Sequence, residues 1–255
     1  YKDIVVFDFR SLYPTIISSH NLSPESFKVK KGKRIDVPGR KQYWFSNKKV
    51  FLPSILEDII TKRSKIKQEI KKLHTAKKDT AYLEARSYAF KILANSFYGY
   101  LGFYGARWYS IESAASTTAF ARHYITTTID TAKKDGFVVI YGDTDSVFFV
   151  LDGKKKQDAL DFMRRINKTL PGLMELEFEG HFPVGIFVAT KGSSKEESAK
   201  GAKKKYALID DAGTVKIVGF AAVRRNWSEI GKEIQIKVLN LVLHNKKNDA
   251  ITYVK

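Results

Sequence analysis

The stretch Tyr141-Gly142-Asp143-Thr144-Asp145-Ser146 constrains the fold most, because it sets two carboxylates between Phe137-Val138-Val139-Ile140 and Val147-Phe148-Phe149-Val150. Both flanking runs are short, β-branched and aromatic, and Gly136 and Gly153 bound them, which reads as a β-hairpin rather than a helix. Asp143 and Asp145 are two residues apart, so an extended backbone would lean both side chains the same way. Like charges that close repel unless a cation intervenes. Hard oxygen ligands suit Mg²⁺, which takes one or two protein carboxylates and completes its shell with water and substrate phosphates. The competing reading is a plain polar turn, which Asp and Gly make routinely.

A third acid ends the first apolar run, Ile4-Val5-Val6-Phe7-Asp8-Phe9. A buried carboxylate with neither cation nor donors would cost several kcal/mol, so Asp8 meets a partner, caps the next turn or opens to solvent. Pairing Asp8 with Asp143 and Asp145 would make a two-metal carboxylate site. After it, Arg10-Ser11-Leu12-Tyr13-Pro14 is expected to turn sharply, since proline disfavours helix at its predecessor.

The 255 residues include 45 Lys and Arg against 27 Asp and Glu, a net charge of +18 that suits a polyanion, nucleic acid first among them. The basic residues cluster at 28–34, 62–78, 154–156 and 203–205. With no cysteine there is no disulfide framework or thiolate metal site, and the five histidines show no zinc spacing. No apolar run approaches a membrane span and no signal-like segment opens the chain, so the expectation is a soluble intracellular protein, cytoplasmic or nucleoid-associated, with no membrane partner. Because the chain opens inside a strand-like run, a fragment, a processed chain or one part of a split protein is expected.

Residues 21–50 are polar and basic and read as a loop or ribbon. Beyond Pro53 a helix capped by Ser54 carries Leu56, Ile59, Ile60, Ile66, Ile70 and Leu73 at helical spacing, with Arg63 and Lys67 sharing a face. A second helix is expected from Ala81 to about Tyr98, with Lys91, Asn95 and Tyr98 inside an arc of roughly 60°. Two such helices with basic inner faces could grip a triphosphate. Ordinary surface charges, with Tyr98 in the core, are the alternative. The glycines of Tyr98-Gly99-Tyr100-Leu101-Gly102-Phe103 are expected to break the helix.

Further helices are expected over 113–133, 157–170 and 228–244. Glu175-Leu176-Glu177-Phe178-Glu179 alternates as a strand showing acids to solvent or to the metal site. Separate strands are expected over 182–189 and 203–209, joined through a mobile loop at 190–202. Lys203-Lys204-Lys205-Tyr206 suits phosphate contact, and the segment with Arg224 and Arg225 is expected to close the sheet region.

In order, Asp8-Phe9-Arg10-Ser11-Leu12-Tyr13-Pro14-Thr15-Ile16-Ile17, Lys91-Ile92-Leu93-Ala94-Asn95-Ser96-Phe97-Tyr98-Gly99 and Tyr141-Gly142-Asp143-Thr144-Asp145-Ser146 resemble the three polymerase motifs of family B DNA polymerases, archaeal members most closely. The resemblance implies an α+β fold, an antiparallel palm sheet flanked by helices with an inserted two-helix antiparallel fingers subdomain. Palm would span 1–50 and 106–225, fingers 51–105 and the start of a thumb 226–255. It implies template-directed DNA synthesis, nucleotidyl transfer from dNTP to a primer 3′-hydroxyl with two Mg²⁺ ions, for which Mn²⁺ can substitute.

Asp8, the Phe9 carbonyl and Asp145 look like the metal ligands, Asp143 like a supporting acid, and Glu175 and Glu177 like accessory acids. Arg63, Lys67, Lys91 and Asn95 resemble the triphosphate grip, with the Ser11-Leu12 backbone as its other wall. Lys91 is further expected to protonate the leaving group. Tyr13 resembles the residue that excludes a ribose 2′-hydroxyl, and Tyr98 and Gly99 the nascent base-pair surface. Thr144, Lys203, Lys204, Lys205, Tyr206, Arg224 and Arg225 are expected on DNA. Primer-template DNA and dNTP are the implied partners, joined by another polypeptide or the N-terminal, exonuclease and thumb regions, and by a sliding clamp. A catalytically silent DNA-binding subunit and a two-metal nuclease are the rival readings. The pattern departs at Ala221, where a glutamate is usual, and at Asn226, where an aspartate is.

Overall fold

A run that is apolar at every position belongs in the middle of a sheet, covered on both faces. In the computed structural model, which describes residues 1–189 and 201–254, that run is β1 (Lys2–Phe9), buried from Ile4 to Phe7. It lies inside a six-stranded sheet with β4 (Val138–Asp143), β5 (Ser146–Val150), β6 (Leu176–Ala189), β7 (Gly201–Ile209) and β8 (Val215–Val218), in the order β4-β5-β1-β6-β7-β8. The β1/β5, β4/β5, β6/β7 and β7/β8 pairs are antiparallel. Tyr1 and Gly185 exchange backbone hydrogen bonds in both directions, the signature of an antiparallel pair. The mixed helix and strand fold is therefore an antiparallel sheet flanked by helices, as expected.

Alternation sorts the side chains of β1. Ile4 and Val6 join Tyr141, Phe148, Phe182 and Leu208 in one cluster. On the opposite face Phe7 meets Phe149 and Phe162 at ring separations of 5.5 and 6.1 Å, and Phe137 packs at 5.7 and 5.6 Å from the same two rings. Each such buried aromatic contributes about 2–3 kcal/mol.

The chain divides into two compact units. The first comprises Tyr1–Asp8, Ile129–Arg164 and Phe178–Lys255, the second Phe9–Thr128 and Arg165–Glu177. In the first, α6 (Glu229–Leu243), capped by Ser228, lays Leu239 and Leu243 over Ala207, Ile209 and Phe220. The second holds α1 (Leu12–Ser19), the ribbon β2 (Arg34–Val37) and β3 (Arg40–Ser46), and the hairpin of α2 (Phe51–Thr75) and α3 (Ala81–Gly102). Two helices, α4 (Ile111–Lys134) and α5 (Lys156–Thr169), contribute residues to both units.

Several sequence expectations are corrected. Pro14 does not keep its predecessor out of helix: it sits in the first turn of α1, where the missing N–H has no partner to lose, and the sharp turn falls at Ser11 in left-handed conformation (φ 48°). Ser54 is no cap, since α2 already begins at Phe51 and the Ser54 hydroxyl donates back to the Val50 carbonyl at 2.8 Å. Gly99 and Gly102 do not break α3, which runs to Gly102 because Leu101 is buried and a helical glycine costs only about 1 kcal/mol. The acids of 175–179 and the apolar run 182–189 are not separate strands but one segment entering and forming β6. Of the expected loop at 190–202, residues 190–200 lie outside the described ones, and Gly201 and Ala202 already belong to β7. A strand (β8), a 3-10 turn at Ala221–Val223 where Arg224 follows, and α7 (Lys247–Val254) were not anticipated.

Candidate active site

Register places the carboxylates. Asp143 on β4 stands opposite Ser146 on β5, and Ser146 stands opposite Asp8 on β1. Residues directly opposite share a face, so Asp143 and Asp8 flank Ser146 on one side of the sheet, two strand spacings or roughly 10 Å apart at their Cα atoms. Asp145 adjoins Ser146 in the two-residue turn that closes the hairpin. The backbone does not stay extended from Asp143 to Asp145, so the condition for both side chains leaning the same way is not met: Asp143 Oδ1 accepts from the Thr144 N–H at 2.9 Å and its hydroxyl at 3.2 Å, which tightens the turn.

Loss of solvation, then the neighbouring Asp143, push the Asp145 carboxyl above the usual carboxylate range, although the residue is exposed as a whole. Glu179 adds to the same effect and Lys204 opposes it. These groups sit at the same end of the sheet. Lys204, in left-handed conformation (φ 55°), donates its backbone N–H to the Tyr141 hydroxyl at 2.6 Å and holds its Nζ 3.9 Å from Asp143 Oδ2. Burial and then Glu179 raise the Tyr206 phenol to about 12, so it stays protonated. Lys205 covers the Phe220 ring at 5.4 Å, Arg224 and Arg225 are exposed beyond the 3-10 turn, and the Lys203 side chain lies outside the described residues.

The donor set is all oxygen, and a half-desolvated carboxylate held beside another is an arrangement that a hard divalent cation relieves, so these residues fit Mg²⁺. Among the described residues, no group of three or more histidine, aspartate or glutamate side chains is placed to hold a metal ion by itself, so substrate phosphates and water would have to complete the shell.

The second unit gathers a different set. Phe9 is buried at the end of β1, and Ser11 and Leu12 follow at the start of α1. Ser11 Oγ accepts from Arg63 Nη1 at 3.2 Å, and Lys67 Nζ lies 3.8 Å from Glu177. Arg10 Nη1 pairs with Glu175 at 2.6 Å and approaches Glu177 at 3.6 Å. The Tyr13 and Tyr98 rings meet edge-on at 4.5 Å. Lys91, Asn95 and Gly99 are exposed on α3, and a side chain at Gly99 would meet nothing within 4 Å, so the helix is open there.

Sequence reasoning misses Arg10 and Tyr141 as contributors, whereas Glu179 is among the acids expected to face solvent or the metal site. Arg10 was signalled by the alternating acids at 175 and 177, which need a cation. Glu179 continues that alternation, and rather than joining Arg10 it pairs with Lys216.

A model of DNA polymerase family B matches residues 1–255. The chain belongs to DNA polymerase family B. Similar curated proteins agree: the family B chain is 42% identical over 261 residues to DNA polymerase 1 of Pyrococcus abyssi and 41% identical over 262 residues to the DNA polymerase of Thermococcus gorgonarius, in each case across 100% of this chain. Among solved structures, the family B DNA polymerase of Pyrobaculum calidifontis matches 100% of the chain with a TM-score of 0.74 at 30% identity. The chain spans 32% of the length of each of these three relatives. The archaeal likeness read from three motifs is thus a likeness of the whole family B chain. Among its described residues no helix is long and apolar enough to cross a membrane.

Proposed function

We propose that this chain carries the nucleotidyl-transfer chemistry of a DNA polymerase, extending a primer 3′-hydroxyl from dNTP on a DNA template. The supporting observation is the row Asp143, Ser146, Asp8 with Asp145 at its turn, because phosphoryl transfer depends on positioning and charge neutralisation rather than covalent help. Asp8 and Asp145 would hold the divalent ions, with Asp143 beside them. Bound there, Mg²⁺ or Mn²⁺ supplies charge neutralisation and activation of a coordinated hydroxyl. Lys204, tied to the hairpin through Tyr141 and Asp143, presents the basic run to the primer backbone, where phosphate contacts fix register without reading sequence. Arg63 and Lys67 on α2 and Lys91 and Asn95 on α3 take the triphosphate, Arg63 as a fork that stays charged although burial lowers it.

Lys91 also gives its proton to the departing pyrophosphate. Lys91→Ala is therefore expected to lower kcat by about 10²-fold besides raising the nucleotide KM. A change in KM alone would assign Lys91 to binding. Tyr13, braced edge-on by Tyr98, sets the floor under the sugar. Tyr13→Ala is expected to raise ribonucleotide incorporation about 10²-fold in a mixed dNTP and rNTP assay, and unchanged sugar discrimination would remove that role.

The deciding experiment is extension of a labelled primer on a template with dNTP and Mg²⁺. Strand degradation instead of extension would point to a nuclease. Salt-sensitive DNA binding with neither reaction would point to a silent subunit using the +18 charge alone.

A further inference from the structure

Glu177 is surrounded by cations of the second unit but closely bound by none. Its carboxylate is 3.6 Å from Arg10 Nη1 and 3.8 Å from Lys67 Nζ, both beyond a direct hydrogen bond. Its charge also favours the protonated Arg63 guanidinium, which burial and Arg10 disfavour. Glu175 differs: it grips Arg10 at 2.6 Å and satisfies that contact fully. The Nε atoms of Arg10 and Arg63 are buried and have no hydrogen-bond partner. Lys67 and Arg63 thus depend on one loosely held carboxylate, which Arg10, already paired with Glu175, also approaches, and N–H donors are to spare. Long, part-exposed pairs of this kind are weak, while phosphate oxygens engage an arginine fork through short charge-assisted bonds.

We infer that Glu177 is a resident counter-anion of the nucleotide-phosphate cluster: it neutralises Arg63 and Lys67 when no nucleotide is bound and gives way when a triphosphate enters. The identity of the ligand rests on the function proposed above. Its use is selectivity. A single-charge or small anion cannot displace the carboxylate, whereas a polyphosphate, contacting several cations at once, can.

The test uses inorganic tripolyphosphate as probe, titrated into the protein by calorimetry, with orthophosphate and pyrophosphate as competitors. Glu177→Gln is expected to tighten tripolyphosphate binding about 5–10-fold and to let orthophosphate compete where it does not in the parent. Glu177→Asp, which keeps the charge but withdraws it, is expected to give a smaller tightening and serves if the glutamine variant folds poorly. Glu57→Gln on α2, whose partner is Lys49, controls for the general loss of negative charge and is expected to change affinity less than twofold. Unchanged or weaker tripolyphosphate binding in both Glu177 variants, or equal tightening in Glu57→Gln, would overturn the inference. Primer extension by the parent is scored separately: its absence would remove the polymerase reading but leave the tripolyphosphate result standing.

Discussion

Asp145→Asn is expected to reduce primer extension by about 10³-fold, roughly 4 kcal/mol of lost transition-state stabilisation, while DNA affinity and its salt slope stay within twofold of the parent. The variant keeps the shape of the turn and removes only the charge that would hold a divalent ion. Stability should move the other way. Desolvation and Asp143 raise the Asp145 carboxyl, so the folded state takes up this proton more readily than the unfolded chain. The resulting stabilisation is therefore complete at pH below the unfolded carboxylate value and is lost as pH rises through that value and the raised folded one. Above the raised folded value the metal-free parent carries the destabilising charge and the asparagine variant does not. A small rise in Tm without metal, together with collapse of extension, separates a functional carboxylate from a structural one. Unchanged extension would refute the role of Asp145.

Gly219→Ala is expected to destabilise the protein by about 2–4 kcal/mol and to lower Tm by roughly 5–15 °C. Gly219 adopts φ 72°, a conformation that costs an L-residue about 1–2 kcal/mol, and a Cβ there would run into the carbonyl of Lys204. Relieving that clash must move Lys204, whose own backbone is left-handed and whose N–H is held by Tyr141. Gly213→Ala supplies the comparison. Its φ is 81° with nothing within 4 Å, so it should show the conformational cost alone, about 1 kcal/mol. Equal Tm losses at the two positions would show that Lys204 yields freely. Where Gly219→Ala folds, DNA affinity should also fall, since the lysine run is displaced.

The readable parts of this chain were those where local pattern and tertiary role coincide. Ile4 to Phe7 and Val147 to Phe149 are apolar at consecutive positions because both faces of their strands are covered, and no helix of that length would need such a run. The spacing of Lys91, Asn95 and Tyr98 was legible because α3 is regular through all three. Pro14 and Ser54 misled because each was weighed by its commonest local effect, while the helix had already begun upstream of it. Gly99 and Gly102 misled because burial of Leu101 outweighs glycine propensity. β8 and α7 are short and weakly patterned, and β8 exists because Tyr206 to Ile209 offer it an edge. The acids at 175 and 177 called for a cation, but nothing local singled out Arg10, so far away in sequence, as the one that answers Glu175.

The pairing of β1 has a consequence for biosynthesis. Ile4 finds its partner at Val150, so a strand translated early waits for a hairpin translated much later. At about 5–20 residues per second the delay is several seconds to half a minute, during which Ile4, Val5, Val6 and Phe7 lack the hydrogen-bonding neighbour that β5 supplies. A segment of that composition with free edges is a template for intermolecular pairing. Nascent chains of this protein should therefore be clients of ribosome-associated chaperones until the hairpin emerges.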